Sequence, residues 1–323
     1  MAPQRLDLFT RYEGNPILTA DQWPYRINSV FNAGAVRLES GETLLLARCE
    51  DMRGISHLCA ARSADGLTNW QIDEHPTLMP DPAQHPEEVW GIEDPRITYL
   101  PETGRYAVTF TCYSLGGPGV SIACTDDFRS FTRLGMVQHP DDKDAALLPR
   151  RFGGRWAMIH RPSAPDRAAH MWMSFSPDLK HWGDLQILIE ARRGAWWDAG
   201  KIGLCTPPIE TPKGWLVLYH GVKTTAAGSL YRLGVALLDL EHPNTLLLRG
   251  DEWIFGAVEP YERVGDVPDV VFPCGSTLAE DGDTLRVYYG AADTSICVAT
   301  ASLTALLDWL EVHSSPGGPA ALP

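Results

Sequence analysis

The composition of this 323-residue chain already excludes several classes of protein. Its 41 acidic residues outnumber the 27 basic residues, which gives a formal net charge of −14. Such a surface repels nucleic acid and anionic lipid, because binding to either requires a basic face. No apolar segment approaches the roughly 20 residues of a membrane span, and residues 1–18 lack the apolar stretch of a signal peptide. We therefore expect no nucleic-acid or membrane partner, and any bound anion must meet a local cluster of basic side chains.

Cysteine usage predicts a reducing compartment. The seven cysteines are odd in number, scattered, and include no C-x-x-C pair, which argues against both a disulfide framework and a zinc site. No pair of histidines at ligand spacing accompanies a carboxylate. We therefore expect a cytoplasmic protein without a metal or cofactor.

A short motif recurs five times along the chain and predicts its architecture. Each copy is an alternating apolar segment followed by Ser/Thr-x-Asp or a remnant of it. The copies lie at Leu58–Asp65, Val120–Asp127, Met171–Asp178, Leu233–Leu240 and Ile296–Leu303. Their starts are 51 to 63 residues apart, and an aromatic residue (Trp70, Phe131 or Trp182) follows each of the first three. Near-even spacing of this kind is typical of repeat architectures.

A hairpin pattern precedes each copy of the motif. The hairpins lie at Ala33–Arg48, Pro95–Tyr113, Ala145–His160, Pro208–His220 and Ser276–Tyr289. Each combines period-2 apolar alternation with a turn that contains glycine and charged residues. A hairpin, a third strand and a fourth strand near the aromatic residue make one four-stranded blade. The sequence therefore predicts an all-β protein, a five-bladed β-propeller.

The same pattern predicts one domain over residues 1–323, with a short N-terminal segment and a C-terminal helix and tail at about residues 303–323. The best amphipathic helical window is Leu303–Val312, and the near absence of others argues against a parallel α/β fold. We expect that this helix docks on a neighbouring copy if the protein forms a homo-oligomer.

Polar residues collect at one predicted rim of the propeller. In each blade the first strand begins, and the second strand ends, at that same rim. These positions hold Asn32, Arg48 and Asp51 in blade one, Glu93, Asp94, Arg96 and Tyr113 in blade two, Lys143, Asp144, His160 and Arg161 in blade three, Lys201, Thr206, Tyr219 and His220 in blade four, and Asp269, Phe272, Tyr289 and Asp293 in blade five. Salt bridges between blades would explain single members of this set, but convergence from all five blades indicates a ligand pocket.

The charges at this rim are divided between two sides. Blades three and four contribute Lys143, Arg161, Lys201 and His220, which together predict an anion site. Blades one, two and five contribute carboxylates that suit sugar hydroxyls and acid catalysis. A glycosidase normally needs two carboxylates, and here cations stand where the second is expected. That pattern favours a phosphorolytic enzyme, because phosphate is already a nucleophile and needs no general base.

Several segments resemble glycoside hydrolase family 130, the β-mannoside phosphorylases and related mannosidases. They are Asn15-Pro16-Ile17, Phe31–Ala35, Leu46-Ala47-Arg48, Gly54-Ile55-Ser56, Gly91–Arg96, Lys143-Asp144-Ala145, His160-Arg161-Pro162, Trp197–Gly203, Tyr219-His220-Gly221 and Tyr289–Asp293. The resemblance covers residues 12 to 303, and its E-D-P-R and D-x-G-K segments are the specific ones.

This resemblance implies an inverting phosphorylase that releases α-mannose 1-phosphate, with inorganic phosphate as a co-substrate. Asp94 would be the general acid, delivering its proton through the mannose 3-hydroxyl. Lys143, Arg161, Lys201 and His220 would bind phosphate, and Asn32, Arg48, Arg53, Glu93 and Asp293 would bind the sugar. As a general acid, Asp94 should have a pKa above its usual value of about 3.9, and Pro95 should hold it in extended backbone.

Three alternatives stay open at this point. A mannosidase of the same family would use water, and a catalytically silent propeller would only bind sugar; the retained cations and Asp94 argue against both. The compact chain looks like enzymes that act on β-1,4-mannooligosaccharides or mannosyl-N-acetylglucosamine, although β-1,2-mannoside phosphorylases are equally compact.

Overall fold

The computed structural model describes residues 8–164, 167–226 and 228–316, and its strands form five antiparallel sheets. Strand β1 (Thr10–Arg11) precedes the first sheet. Blade one contains β2 (Ser29–Arg37), β3 (Thr43–Glu50), β4 (Ser56–Ser63) and β5 (Gln71–Ile72). Blade two contains β6 (Ile92–Leu100), β7 (Arg105–Ser114), β8 (Gly117–Thr125) and β9 (Thr132–Gln138). Blade three contains β10 (Asp142–Leu147), β11 (Trp156–Pro162), β12 (Met171–Ser176) and β13 (Gly183–Ile189).

The last two blades have additional or borrowed strands. Blade four contains β14 (Lys201–Leu204), β15 (Ile209–Thr211), β16 (Gly214–Thr225), β17 (Gly228–Leu238), β18 (Leu246–Gly250), β19 (Phe255–Gly256) and β23 (Ser314–Pro316). Blade five contains β20 (Val271–Leu278), β21 (Thr284–Ala291) and β22 (Ser295–Ser302), together with β1. The helices are α1 (Pro260–Arg263) and α2 (Leu303–Val312), with single-turn 3-10 helices at Ala20–Gln22 and Pro86–Glu88.

Neighbouring sheets contact one another in a closed ring. Contacts join β2 to β6, β7 to β10, β10 to β14, β17 to β20 and β20 back to β2. The five predicted third strands are β4, β8, β12, β17 and β22, and the five-bladed β-propeller is confirmed.

The recurring aspartate has a local structural reason. Asp65 Oδ1 accepts hydrogen bonds from the backbone N–H groups of Leu67 and Thr68, both at 2.8 Å. Asp127, Asp178 and Asp239 accept from the equivalent backbone groups two and three residues later. Side-chain acceptance of this kind is what favours aspartate in turns. The motif therefore marks the turn from the third strand to the fourth.

Ring closure was not predicted from the sequence. Strand β1 pairs with β22 through Thr10 and Thr300 and supplies the fourth strand of blade five. Because β1 has only two residues, it carries no alternation pattern. The predicted hairpin of blade four forms as β15 and β16, but the strand at the channel is β14, which also pairs with β16.

The C-terminal helix forms with the predicted bounds and packs on its own chain. The Ser302 side chain accepts a hydrogen bond from the Ala305 backbone and begins the helix. Leu306 and Leu310 are buried in the core shared by blades four and five. The apolar face of α2 therefore packs inside its own chain rather than on a neighbouring copy, and the homo-oligomer stays a prediction.

The structure also places the cysteines. All seven are buried and free, as expected for small apolar side chains. Within the described ranges, no helix is long and apolar enough to cross a membrane. No group of three or more His, Cys, Asp and Glu side chains in those ranges is arranged to hold a metal ion.

Candidate active site

The first three blades share a bulge where their channel strands begin. The register shifts between Phe31 and Gly34 in β2, between Glu93 and Arg96 in β6, and between Lys143 and Ala146 in β10. Within these bulges, Asn32, Asp94 and Asp144 adopt left-handed backbone with φ of +46°, +50° and +56°. A bulge redirects a side chain relative to the regular pleat, and all three residues are buried.

The backbone expectation for Asp94 is wrong. Pro95 was expected to hold residue 94 in extended backbone, but its φ is +50°. The tight contact between blades one and two accompanies this geometry, since a Cβ added to Gly34 would lie 2.7 Å from the Pro95 carbonyl oxygen. Packing and the bulge therefore override the local preference imposed by proline.

Carboxylates from two blades surround the Arg48 guanidinium. Asp94 Oδ1 accepts hydrogen bonds from Arg48 and from the Asn32 amide, both at 3.0 Å. Arg48 also contacts Glu93 at 3.2 Å and Glu50 at 3.4 Å. The structure thus brings Asn32, Arg48, Glu93 and Asp94 together as one hydrogen-bonded group.

The protonation of this group differs from the expectation. Burial raises the pKa of Asp94, but the charges of Arg48, Arg96 and Lys143 and the hydrogen bond from Asn32 together hold that pKa below its usual range. Burial raises the pKa of Asp293 to about 7, and the negative charge of Asp94 adds to the effect against the opposing charge of Arg48. The expected upward shift in the pKa of Asp94 is therefore wrong, and Asp293 is a carboxyl that is partly protonated near neutral pH.

On the opposite side, Asp144 joins the basic residues of blades three and four. Lys143 and Arg161 are register partners on β10 and β11. Arg161 Nε donates to Asp144 Oδ2 at 2.7 Å, and His220 Nε2 lies 3.5 Å from the same oxygen. In the described ranges, neither Lys143 nor Lys201 has a carboxylate partner within 4 Å; Lys201 Nζ instead lies 5.4 Å from the centre of the Tyr231 ring.

His220 is not a cation at neutral pH, contrary to the expectation. Burial lowers its pKa to about 3, and the charges of Arg161 and Lys201 add to this effect although Asp144 opposes it. A neutral imidazole still donates one hydrogen bond. Its ring packs against Phe272, with ring centres 4.8 Å apart, and against Tyr231 at 6.0 Å. Sequence reasoning missed Tyr231, because it lies within β17 and only the cross-strand register brings it here.

Arg96 connects the two sides of the site. Its buried guanidinium donates to the carbonyl oxygens of Cys205 at 3.0 Å and Leu204 at 2.9 Å, across the channel in blade four. It also lies 3.4 Å from Asp144 Oδ1. Gly203 is required beside this contact, because a Cβ there would collide with Asp144 Oδ2 and would lie 2.6 Å from His220 Cε1.

Asp198 organises the segment that leads to Lys201. It is fully buried and accepts hydrogen bonds from Arg249 at 2.6 Å, Arg192 at 2.9 Å and the Tyr219 hydroxyl at 3.2 Å. Tyr219 therefore faces this network rather than the site. No sequence signal beyond the W-D-A-G-K segment pointed to this role.

Some predicted residues are not brought into the site. Arg53 is 77% exposed and its guanidinium binds Asp51 at 2.7 Å, so it makes no contact with the Arg48 group in the described ranges. Asp269 is 56% exposed and lies 3.9 Å from Arg263. The phenol of Tyr289 donates to the buried Glu262 at 2.8 Å.

The site therefore combines basic side chains and carboxyl groups at one end of the channel, which we call the mouth. Lys143, Arg161 and Lys201 supply positive charge on one side, and Asp94, Glu93 and Asp293 supply carboxyl groups on the other. Such a mouth suits a ligand that pairs an anion with a hydroxyl-rich group.

The family of this chain is shown by comparison with known proteins. The model of glycoside hydrolase family 130, described as beta-1,4-mannooligosaccharide phosphorylase, matches residues 4–312. The chain belongs to glycoside hydrolase family 130. The family 130 match extends across all five blades, so the resemblance seen in the motifs is confirmed.

Individual family 130 relatives differ in their named substrates. The beta-1,4-mannooligosaccharide phosphorylase of Ruminococcus albus is 34% identical over 317 residues, which cover 96% of this chain and 92% of the relative. The beta-1,2-mannobiose phosphorylase of Listeria innocua is 36% identical over 264 residues, covering 81% of this chain and 71% of the relative. A structure of a Listeria innocua beta-1,2-mannobiose phosphorylase bound to beta-1,2-mannobiose superposes with a TM-score of 0.85 at 31% identity, over 94% of this chain and 99% of that one.

Proposed function

We propose that this protein cleaves β-mannosides with inorganic phosphate and releases α-mannose 1-phosphate. The proposal rests on how charged side chains are arranged at the mouth: cations of blades three and four face carboxyl groups of blades one, two and five. The phosphorylases among its family 130 relatives support the same reaction class. The seven free cysteines fit a reducing, cytoplasmic location.

In this proposal, phosphate binds against Lys143, Arg161 and Lys201, with a hydrogen bond from neutral His220. One phosphate oxygen attacks the anomeric carbon of the mannosyl unit on the face opposite the leaving group. The glycosidic carbon–oxygen bond breaks, and the departing oxygen takes a proton that originates on Asp94 and passes through the mannose 3-hydroxyl. Attack from the opposite face inverts the β-linkage, so the product is the α-phosphate.

The lowered pKa of Asp94 requires that ligand binding restores its proton. Lys143 is among the cations that lower this pKa, and a phosphate dianion beside Lys143 offsets that charge. Displacement of water by the sugar strengthens the same effect. Asp293 is partly protonated near neutral pH, so Asp94 and Asp293 together carry the proton that the leaving group needs.

We assign Asn32, Arg48, Glu93 and Asp293 to the mannosyl unit, because they surround Asp94 or interact with it electrostatically. Arg53 is exposed and paired with Asp51 in the structure, so its contact with the sugar stays a prediction. The β-1,4 linkage is our first choice, since the Ruminococcus albus relative covers most of both chains. The β-1,2 linkage is the second, because of the similarity to the Listeria innocua enzyme.

The decisive experiment incubates the protein with β-1,4- and β-1,2-mannobiose, each with and without phosphate, and assays mannose 1-phosphate. We expect cleavage of one disaccharide only when phosphate or arsenate is present. Equal cleavage without phosphate, with free mannose as product, would instead identify a mannosidase. No cleavage, together with measurable binding, would identify a silent sugar-binding propeller.

A further inference from the structure

An aromatic pair stands exposed on blade two, next to the site. Trp90 is 41% exposed and Tyr113 is 39% exposed. Their rings meet edge to face, with centres 5.4 Å apart and an interplanar angle of 64°. Large aromatic side chains left in water are informative, because their burial would stabilise the fold.

Hydrogen bonds fix the backbone that carries this pair. The Trp90 N–H donates to the Tyr113 carbonyl at 2.9 Å, and the Tyr113 N–H donates to the Gly91 carbonyl at 3.1 Å. Gly91 has φ of +111°, and a Cβ there would lie 2.8 Å from the Ser56 nitrogen. A backbone fixed in this way does not have to be ordered when a ligand covers the rings.

The pair is continuous with the carboxylate side of the site. Gly91 bridges to Ser56, and the Ser56 hydroxyl accepts a hydrogen bond from Arg48 at 2.9 Å. Trp90 precedes Asp94 by four residues, a separation of at most about 13 Å in extended chain. That reach is comparable to an extended disaccharide that starts at the reacting bond.

We propose that Trp90 and Tyr113 form a platform for the second sugar beyond the cleaved bond, toward the reducing end of a β-mannoside oligosaccharide. The C–H face of a pyranose packs on an aromatic ring while its hydroxyl groups stay in water. This inference rests on the proposed function and deepens it: the platform makes the enzyme prefer trisaccharides and longer chains over disaccharides.

The test compares Trp90→Ala and Tyr113→Ala with the wild type on mannobiose and mannotriose of the linkage that the wild type cleaves. We expect kcat/KM for the trisaccharide to fall about five- to tenfold, the scale of one lost aromatic contact, with a several-fold smaller loss for the disaccharide. Trp90→Phe should restore most of the trisaccharide preference. Tyr99→Ala is the matched control, because Tyr99 is 38% exposed and lies near the other end of β6 against Tyr106.

The outcomes separate this inference from the proposed function. An unchanged ratio of trisaccharide to disaccharide in both alanine variants, with an active wild type, would overturn the platform. A wild type without phosphate-dependent cleavage would overturn the proposed function instead. In that case, calorimetric titration of mannotriose and mannobiose into the same variants decides on the platform, since weaker trisaccharide binding by Trp90→Ala supports it and unchanged binding rejects it.

Discussion

Replacement of Asp293 by Asn tests whether the raised pKa of this carboxyl group lowers the stability of the folded protein. Burial and the neighbouring Asp94 raise the pKa of Asp293 to about 7. An unfolded chain has an Asp pKa of about 3.9, and each unit of difference corresponds to about 1.4 kcal/mol. An ionised Asp293 therefore costs the folded protein about 4 kcal/mol at pH 8, a cost that the neutral amide of Asn removes.

The direction in which stability changes with pH follows from which state, folded or unfolded, binds the Asp293 proton more tightly. Because the folded pKa lies above the unfolded one, the stability associated with the Asp293 proton is complete below about pH 4 and is lost as pH rises through about 7. The advantage of Asp293→Asn over the wild type should therefore grow by roughly 2–3 kcal/mol between pH 5 and pH 8. With roughly 1.5 °C per kcal/mol for a chain of this length, the difference in Tm should widen by about 4 °C.

The assay measures Tm for both proteins at pH 5 and pH 8. Asp269→Asn serves as the control, since this carboxylate lies in the same blade region but is 56% exposed. Because this side chain is exposed, its replacement should change Tm far less at pH 8 than Asp293→Asn does. The reasoning fails if Asp293→Asn shows no gain in Tm at pH 8, or the same gain at both pH values. The stabilised variant should nevertheless lose activity, as expected where a functional site is held at a cost in stability.

Three further substitutions test the remaining assignments. Asp94→Asn should lower turnover by about 10²–10⁴, the usual scale for acid catalysis. It should also lower Tm at neutral pH, because the lowered pKa of Asp94 means that its ionised form stabilises the fold, although Arg48 keeps its other carboxylate partners. Lys201→Ala should raise the apparent constant for phosphate about tenfold or more, with a smaller change for the mannoside, because a charge-assisted hydrogen bond is lost. Asp198→Ala should lower the free energy of unfolding in urea by about 3 kcal/mol, because it leaves Arg249 with its guanidinium buried and short of its carboxylate partner.

The Lys201 and Asp198 predictions each have a control on the surface. Lys180→Ala removes an exposed cation from blade three and should leave the phosphate constant unchanged. Asp126→Ala breaks the exposed pair with Arg105 and should cost less than about 1 kcal/mol. Near-normal turnover in a stable Asp94→Asn protein would leave the mechanism without its acid. Normal phosphate saturation of Lys201→Ala would place the anion elsewhere.

The repeat was enough to predict the architecture, because its physical cause is local. Alternating side chains specify strands, and the aspartate after each third strand binds the next backbone N–H groups of its own turn, as Asp65 shows. The positions of Arg48, Asp94 and Arg161 at one rim follow from strand order alone. Closure of blade five did not follow, because β1 is too short to carry a pattern and meets β22 only in the folded chain.

The charge states within the site were decided by tertiary structure. A pKa depends on burial and on charges that are distant in sequence, and no local pattern records either. Arg48 and Arg96 help to keep Asp94 ionised, while burial beside Asp94 keeps Asp293 partly protonated near neutral pH and burial beside Arg161 keeps His220 neutral. The residue types at the mouth were thus determined by the sequence, but the location of the proton among them depends on how the blades pack around the channel.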